Sequence, residues 1–239
     1  MTPSSAHPGP GDGRAARWAG QRERRRREYV DAALRAIAEH GPDVSTGRIA
    51  DVAGVARPQL YKHFDDTTDL KRAIADRATE LITAALLPVW EPHGSAMQMI
   101  AVAVDAHTGW LADNSNLYRY LTRHSQIGRT SGRDAVADVK TVIARQLTQV
   151  FGFYLTAFQL DARIADVISF GVVGLVDSCT AQWLESPQDL TRTQLTDLLT
   201  RWIWRILDDS LRVGGIELDP HLPLHPPPRE PPPSPGPPA

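Results

Sequence analysis

Cysteine is almost absent: Cys179 is the only one in 239 residues. No disulfide can form within the chain, and no cysteine-rich zinc site can be built. The chain therefore reads as a protein of the reducing cytoplasm. Cys179 follows a small-residue apolar stretch, Gly174-Leu175-Val176-Asp177-Ser178, and reads as a buried thiol rather than a nucleophile. A large charge excess is also missing. There are 26 Lys+Arg against 28 Asp+Glu, a formal net charge of −2 and a pI near 6.4. That balance argues against wholesale attraction to nucleic acid or anionic lipid, and leaves room only for a local basic patch. Long hydrophobic runs are lacking as well. Residues 167–176 are uncharged and apolar, far short of the ~20 that a membrane helix needs. The first residues, Met1 to Ser5, contain no apolar core of a secretory signal, so none is expected.

Proline is scarce in the middle and dense at the ends. Three of the 19 prolines lie in residues 1–10 and eleven in residues 220–239. A run such as Pro226-Pro227-Pro228-Arg229-Glu230-Pro231-Pro232-Pro233 cannot build a packed core and predicts a solvated, extended tail over 217–239. Residues 1–21, rich in Gly, Pro and Ser, predict a disordered arm. Between them the apolar period is helical. Val30, Ala33, Leu34, Ile37 and Ala38 form one stripe, closed by Gly41-Pro42. Met97, Ile100, Val104, His107 and Leu111 form another. Ile164, Val167, Ile168, Gly171, Val172 and Leu175 form a third, and Leu195, Leu199, Trp202 and Ile206 a fourth. No period-two run bounded by turn signals is present. The expected fold class is all-α, with about nine helices.

Residues 45–64 carry the most information. Ser45 is an N-cap candidate, and Ile49, Val52 and Ala53 make an apolar face. Gly54 follows as a helix-closing residue, and Val55 can plug the turn. Pro58 fits the first turn of a second helix, which Leu60 and Phe64 bury at i, i+4. Its other face shows Arg57, Gln59, Tyr61, Lys62 and His63. Two short helices joined by a glycine turn, the second polar and basic, are helix-turn-helix geometry.

This stretch resembles the TetR family of transcriptional regulators, in Ile49-Ala50, Ala53-Gly54-Val55 and Leu60-Tyr61-Lys62-His63-Phe64. The resemblance is specific over residues 22–72, and residues 171–185 look like the penultimate helix of such regulators. It implies a DNA-binding domain at 22–72, with its motif at 45–64, and a helical ligand-binding and dimerisation domain at 73–216. Two positions depart from the pattern. Ala56 stands where a serine often caps the recognition helix, and Thr67 stands where the family has a phosphate-contacting lysine. Lys71, one turn on, is the substitute candidate.

Charge by position supports DNA binding. Residues 14–72 sum to +4 and the remainder to −6. Arg22, Arg24, Arg25, Arg26 and Arg27 cluster at the start of the first helix, beside the motif, and are read as phosphate or minor-groove contacts. Arg57 and Gln59 are the candidate base readers. Tyr61, Lys62 and His63 are candidate phosphate contacts, with a packed ring over Phe64 as the other reading of His63. Ser45, Thr46 and Arg48 present the N-terminus of the preceding helix to phosphate.

The rest of the chain has no Gly-rich phosphate loop, no HExxH and no GxSxG; no catalytic residue, metal ligand or cofactor is expected. Helical bundles place ligands between helices. Pocket candidates are Met97, Ile100, Val104, His107, Trp110, Tyr118, Phe153 and Phe170. Trp202, Ile203 and Trp204 are consecutive, so one side of a helix cannot hide all three. The resemblance implies a homodimer through the last two helices, with Val172, Leu175, Trp183, Leu195, Leu199, Trp202 and Ile206 at the interface. The expected function is a repressor that binds a palindromic DNA operator as a homodimer and is released by a small, hydrophobic or acyl effector. Alternatives are an activator or a ligand-independent architectural DNA binder. No membrane partner is expected.

Overall fold

The computed structural model describes residues 12–90, 94–125, 135–186 and 189–224. The described residues form nine α-helices and no strand: α1 (Asp12–His40), α2 (Thr46–Val52), α3 (Arg57–Leu60), α4 (Thr67–Leu86), α5 (Ala96–Asp113), α6 (Ser115–Ser125), α7 (Ala135–Ala157), α8 (Ile164–Glu185) and α9 (Arg192–Val213). A 3-10 turn, Leu87–Trp90, follows α4. The chain divides into two compact units, Met1–Ile82 with Asp113–Val139, and Thr83–Ala112 with Lys140–Ala239. The division falls later than residue 72, and α6 belongs to the first unit.

In the first unit α1 packs against α2 and α6, and α2 against α3. Its core is Val30, Ala33 and Ile37 from α1, Ile49, Leu60 and Phe64 from the motif, Leu70 and Ile74 from α4, and Leu117 and Leu121 from α6. Burying each Val, Leu, Ile or Phe of this set stabilises the unit by about 1.5–3 kcal/mol. Gly41 closes α1 at φ +86°, its N–H donating to the Ile37 carbonyl at 2.9 Å. α1 is already helical at Asp12, so the expected arm over 1–21 is too long; residues 1–11 lie outside the described residues.

In the second unit Val104, Val172, Val176, Leu195, Leu199 and Ile203 form the buried centre. Helix α5 opens on a capping box: Gln98 N–H donates to Ser95 Oγ (3.3 Å), and Ser95 N–H donates to Gln98 Oε1 (2.9 Å). Thr191 and Gln194 make the same device at α9. Helix α8 is long and apolar enough by composition to cross a membrane, with a mean hydropathy of 1.6, which no ten-residue run had suggested. Its inner side packs in this core and carries Asp177, ion-paired to Lys140 at 2.6 Å, as befits a core helix.

The chain beyond α9 folds back as a strap. The Ile216 N–H donates to the Leu211 carbonyl, the Met97 N–H to the Pro220 carbonyl (3.1 Å), and the Leu224 N–H to the Gly94 carbonyl (3.0 Å). Ser95 and Pro223 form an isolated bridge. The expected disordered tail from 217 therefore begins as ordered chain through 224. Residues 225–239, which hold the polyproline runs, lie outside the described residues.

Candidate nucleic-acid interface and candidate ligand cavity

Local chemistry positions the motif. Ser45 Oγ accepts from the Arg48 N–H at 3.2 Å and caps α2. Gly54, at φ +69°, ends it, and the Val55 N–H reaches back to the Ala50 carbonyl at 3.0 Å. Ala56 gives α3 no side-chain cap, and Pro58 sits in its first turn. Beyond Leu60 the chain continues as a tighter turn, with His63 N–H donating to the Leu60 carbonyl at 3.0 Å.

A groove of about 400 Å³ runs beside this motif, lined by Ser45, Thr46, Arg57, Thr67, Lys71 and His124, among others. The fold thus brings four of the sequence-derived candidates, Ser45, Thr46, Arg57 and Lys71, to one place. Arg48 and Lys62 are exposed, Gln59 is half-buried, and none of the three lines the groove. Tyr61 Oη lies 3.0 Å from Thr67 Oγ1, and the Arg57 guanidinium sits 5.7 Å from the Tyr61 ring centre. The hydrogen bond to Thr67, then that to Arg57, pulls the Tyr61 hydroxyl below its ordinary pKa. Thr67, read as a lost contact, is therefore a hydrogen-bonding neighbour of Tyr61, a candidate phosphate contact.

His63 departs from its candidate role. Its ring is half-buried and meets Tyr29 edge-on at 5.1 Å. Burial first, and then the positive field of Arg22, Arg25, Arg26 and Lys62, lowers its pKa. A neutral, packed ring carries no charge to a phosphate. Arg26 also turns inward. It holds Asp69 with both nitrogens (2.8 and 2.6 Å), donates to the His63 carbonyl (2.7 Å) and covers the Phe64 ring at 4.4 Å. Arg24 and Arg25 pair with Glu28, and Arg27 with Glu80, at the surface. The arginine cluster is in part scaffold. His124, from α6, was not a candidate: it joins the groove from about sixty positions along the chain and has no local signal.

The second unit contains a cavity of about 200 Å³ between α5, α7, α8, α9 and the strap. Ile100, Val104 and His107 line it as expected. Met97, Trp110, Phe153 and Phe170 do not, and Tyr118 belongs to the first unit. Phe153 and Phe170 are 49% and 43% exposed. The reason is helix phase. On α7 the inward stripe is Leu147, Val150, Phe151 and Tyr154, continued by Phe158 in the turn that follows, which leaves Phe153 on the far side. Met99 takes the place given to Met97.

The expected dimer residues also divide. Val172, Leu195 and Leu199 are buried in the unit's own core, with the partly buried Leu175 and Trp183 packed against it. Trp202 and Ile206 are 42% and 40% exposed. Ile203 is buried, and Trp204 lines the cavity. On α8, Val167 and Phe170 are also exposed.

The family described as bacterial regulatory proteins, tetR family, matches residues 30–78, which span the motif and its flanking helices. Over that segment the chain is similar to the TetR family. An uncharacterized HTH-type transcriptional regulator of Mycobacterium tuberculosis is 28% identical over 209 residues, 85% of this chain and 86% of its own length. The HTH-type transcriptional activator FasR of Mycolicibacterium smegmatis is 23% identical over 204 residues, again 85% and 86%. The crystal structure of the regulator FadR from Bacillus subtilis, in complex with stearoyl-CoA, shares the fold. Its TM-score is 0.55 at 20% identity, over 74% of this chain and 96% of that one. The chain thus carries a helix-turn-helix segment of tetR type in an all-α fold, and the relatives it resembles are transcriptional regulators.

Proposed function

We propose that this regulator is a repressor that binds a palindromic operator in the cytoplasm as a homodimer and is released by a small hydrophobic effector. The observation that carries the effector is the apolar cavity of the second unit, lined by aliphatic and aromatic side chains from five helices. A DNA-binding module does not need such a space. A neighbour in fold is a complex with stearoyl-CoA, which supports an acyl-type ligand. The likeness to an activator, FasR, favours a second reading of the sign of control. The same geometry serves either, because a ligand need only prefer one conformer of the protein over the other.

DNA contact falls to two groups of residues. Ser45, Thr46, Tyr61, Lys62, Thr67 and Lys71 hold phosphates and set register. Arg57 and Gln59 read base edges in the major groove. Dimerisation uses the outward faces of α8 and α9, where Val167, Phe170, Trp202 and Ile206 are exposed. On α8, a Cβ built on Gly171 or Gly174 meets nothing within 4 Å, so the chain's own packing does not require glycine there. Close approach by a second copy accounts for both.

The test is a panel of point-mutated operators taken from DNA flanking the gene, titrated at several salt concentrations. Lys62→Ala should weaken all sequences alike and reduce the salt slope by about one. Gln59→Ala should cost about 1–3 kcal/mol at one base pair and relax preference there. Equal losses on every operator for both variants would refute the division of roles.

A further inference from the structure

We propose that the cavity of the second unit selects an aliphatic ligand whose buried polar group is an uncharged oxygen, a hydroxyl or an ester-type carbonyl, and rejects the free carboxylate. This rests on the reading of that cavity as the effector site.

Two polar atoms within the apolar lining lack a partner among the described residues, His107 Nε2 on α5 and Tyr154 Oη on α7. A buried donor or acceptor left unmade is costly, so each is a standing demand for a partner atom. The remaining polar lining does not compete. The Ser210 hydroxyl already donates to the Ile206 carbonyl at 3.1 Å, and Trp204 offers only an indole N–H.

Neither unpartnered group carries charge at neutral pH. Burial lowers His107 to about 4, against the opposing pull of Asp177, and raises Tyr154 above the ordinary phenol range. An imidazole nitrogen and a phenol can donate to or accept from a neutral oxygen. Compensation of an anion is a different matter, because among the described residues no lysine or arginine lines the cavity. The nearby cation that influences His107, Lys140, is 2.6 Å from the buried carboxylate of Asp177 and is neutralised there. A carboxylate drawn into this lining would lose its water and meet no counter-charge. An acyl thioester satisfies the same chemistry if its carbonyl enters and its anionic part stays in solvent.

The experiment is calorimetric titration of the full chain at neutral pH with decanol, methyl decanoate and decanoate. Decanol or the methyl ester should bind at least about tenfold more tightly than decanoate. If only decanol does so, the group must donate as well as accept; if both do, acceptance suffices. Tyr154→Phe should weaken the tighter-binding neutral ligand by about tenfold. It should leave the melting temperature of the unliganded protein unchanged or higher, because it deletes an unmade hydrogen bond. Decanoate binding as tightly as both neutral ligands, or more so, overturns the inference and leaves the effector cavity standing. Binding by none of the three overturns the cavity reading and this inference with it.

Discussion

Arg26 shows how far one side chain's role can differ from that of its neighbours. It stands within a run of arginines next to a DNA-reading motif, yet it ties α1 to Asp69 at the start of α4 and to the backbone end of the recognition segment. Its hydrogen bond is the first cause holding the Asp69 carboxyl below its ordinary 3.8. A depressed folded-state pKa contributes stability that is present above the ordinary carboxylate range and lost as pH falls below about 4. Arg26→Ala should lower stability by about 1–3 kcal/mol and flatten that acid loss. Urea unfolding from neutral pH to about pH 3 checks both; an acid slope equal to that of the natural chain would contradict the role. Ser45, Gly54, Pro58, Leu60 and Phe64 could be assigned from the sequence because each acts through neighbours within a few positions. Arg26 and His124 could not, because their partners lie far along the chain. His63 carries two readings, and the approach of Tyr29 supports the packed ring.

At the scale of elements, helix existence and type were plain from the apolar period, while helix phase was not. The stripe through Ile100, Val104 and His107 faces the cavity as read. On α7 and α8 every turn carries apolar residues on more than one side, so Phe153 and Phe170 could be taken for lining. The strap after α9 was hidden for a different reason. Proline prevents regular structure but does not prevent packing. Pro220 supplies a carbonyl to an orphan N–H in the first turn of α5, and Leu218 and Leu224 complete the cavity wall. A chain ending at Gly215 should therefore lose about 1–3 kcal/mol, from two half-buried leucines and a helix-end hydrogen bond. It should also release decanol faster. Thermal unfolding and stopped-flow dissociation measure these effects; a truncated chain with unaltered melting and release would show the strap to be incidental.

For the whole molecule, a net charge of −2 conceals a basic motif-bearing segment and an acidic remainder. Both functions in the proposal are local: a groove rimmed by Ser45, Thr46, Arg57 and Lys71 in one unit, and an apolar cavity in the other. What joins them in the proposal is linkage. An effector that binds one conformer better must change DNA affinity by the same coupling free energy that DNA imposes on the effector. The dimer enters through symmetry, because two copies related by a two-fold axis match a palindrome. Gly171→Arg should keep the protomer folded, since its side chain starts in open space, and should weaken operator binding by preventing pairing. The most direct measurement is the fluorescence anisotropy of a labelled duplex from the flanking DNA, titrated with the full chain in the presence and absence of the ligand that binds the cavity. The account predicts two chains per palindrome and an affinity at least about tenfold weaker when ligand is bound, a coupling of about 1.4 kcal/mol. An affinity for DNA that stays the same while the ligand demonstrably occupies the cavity would contradict it.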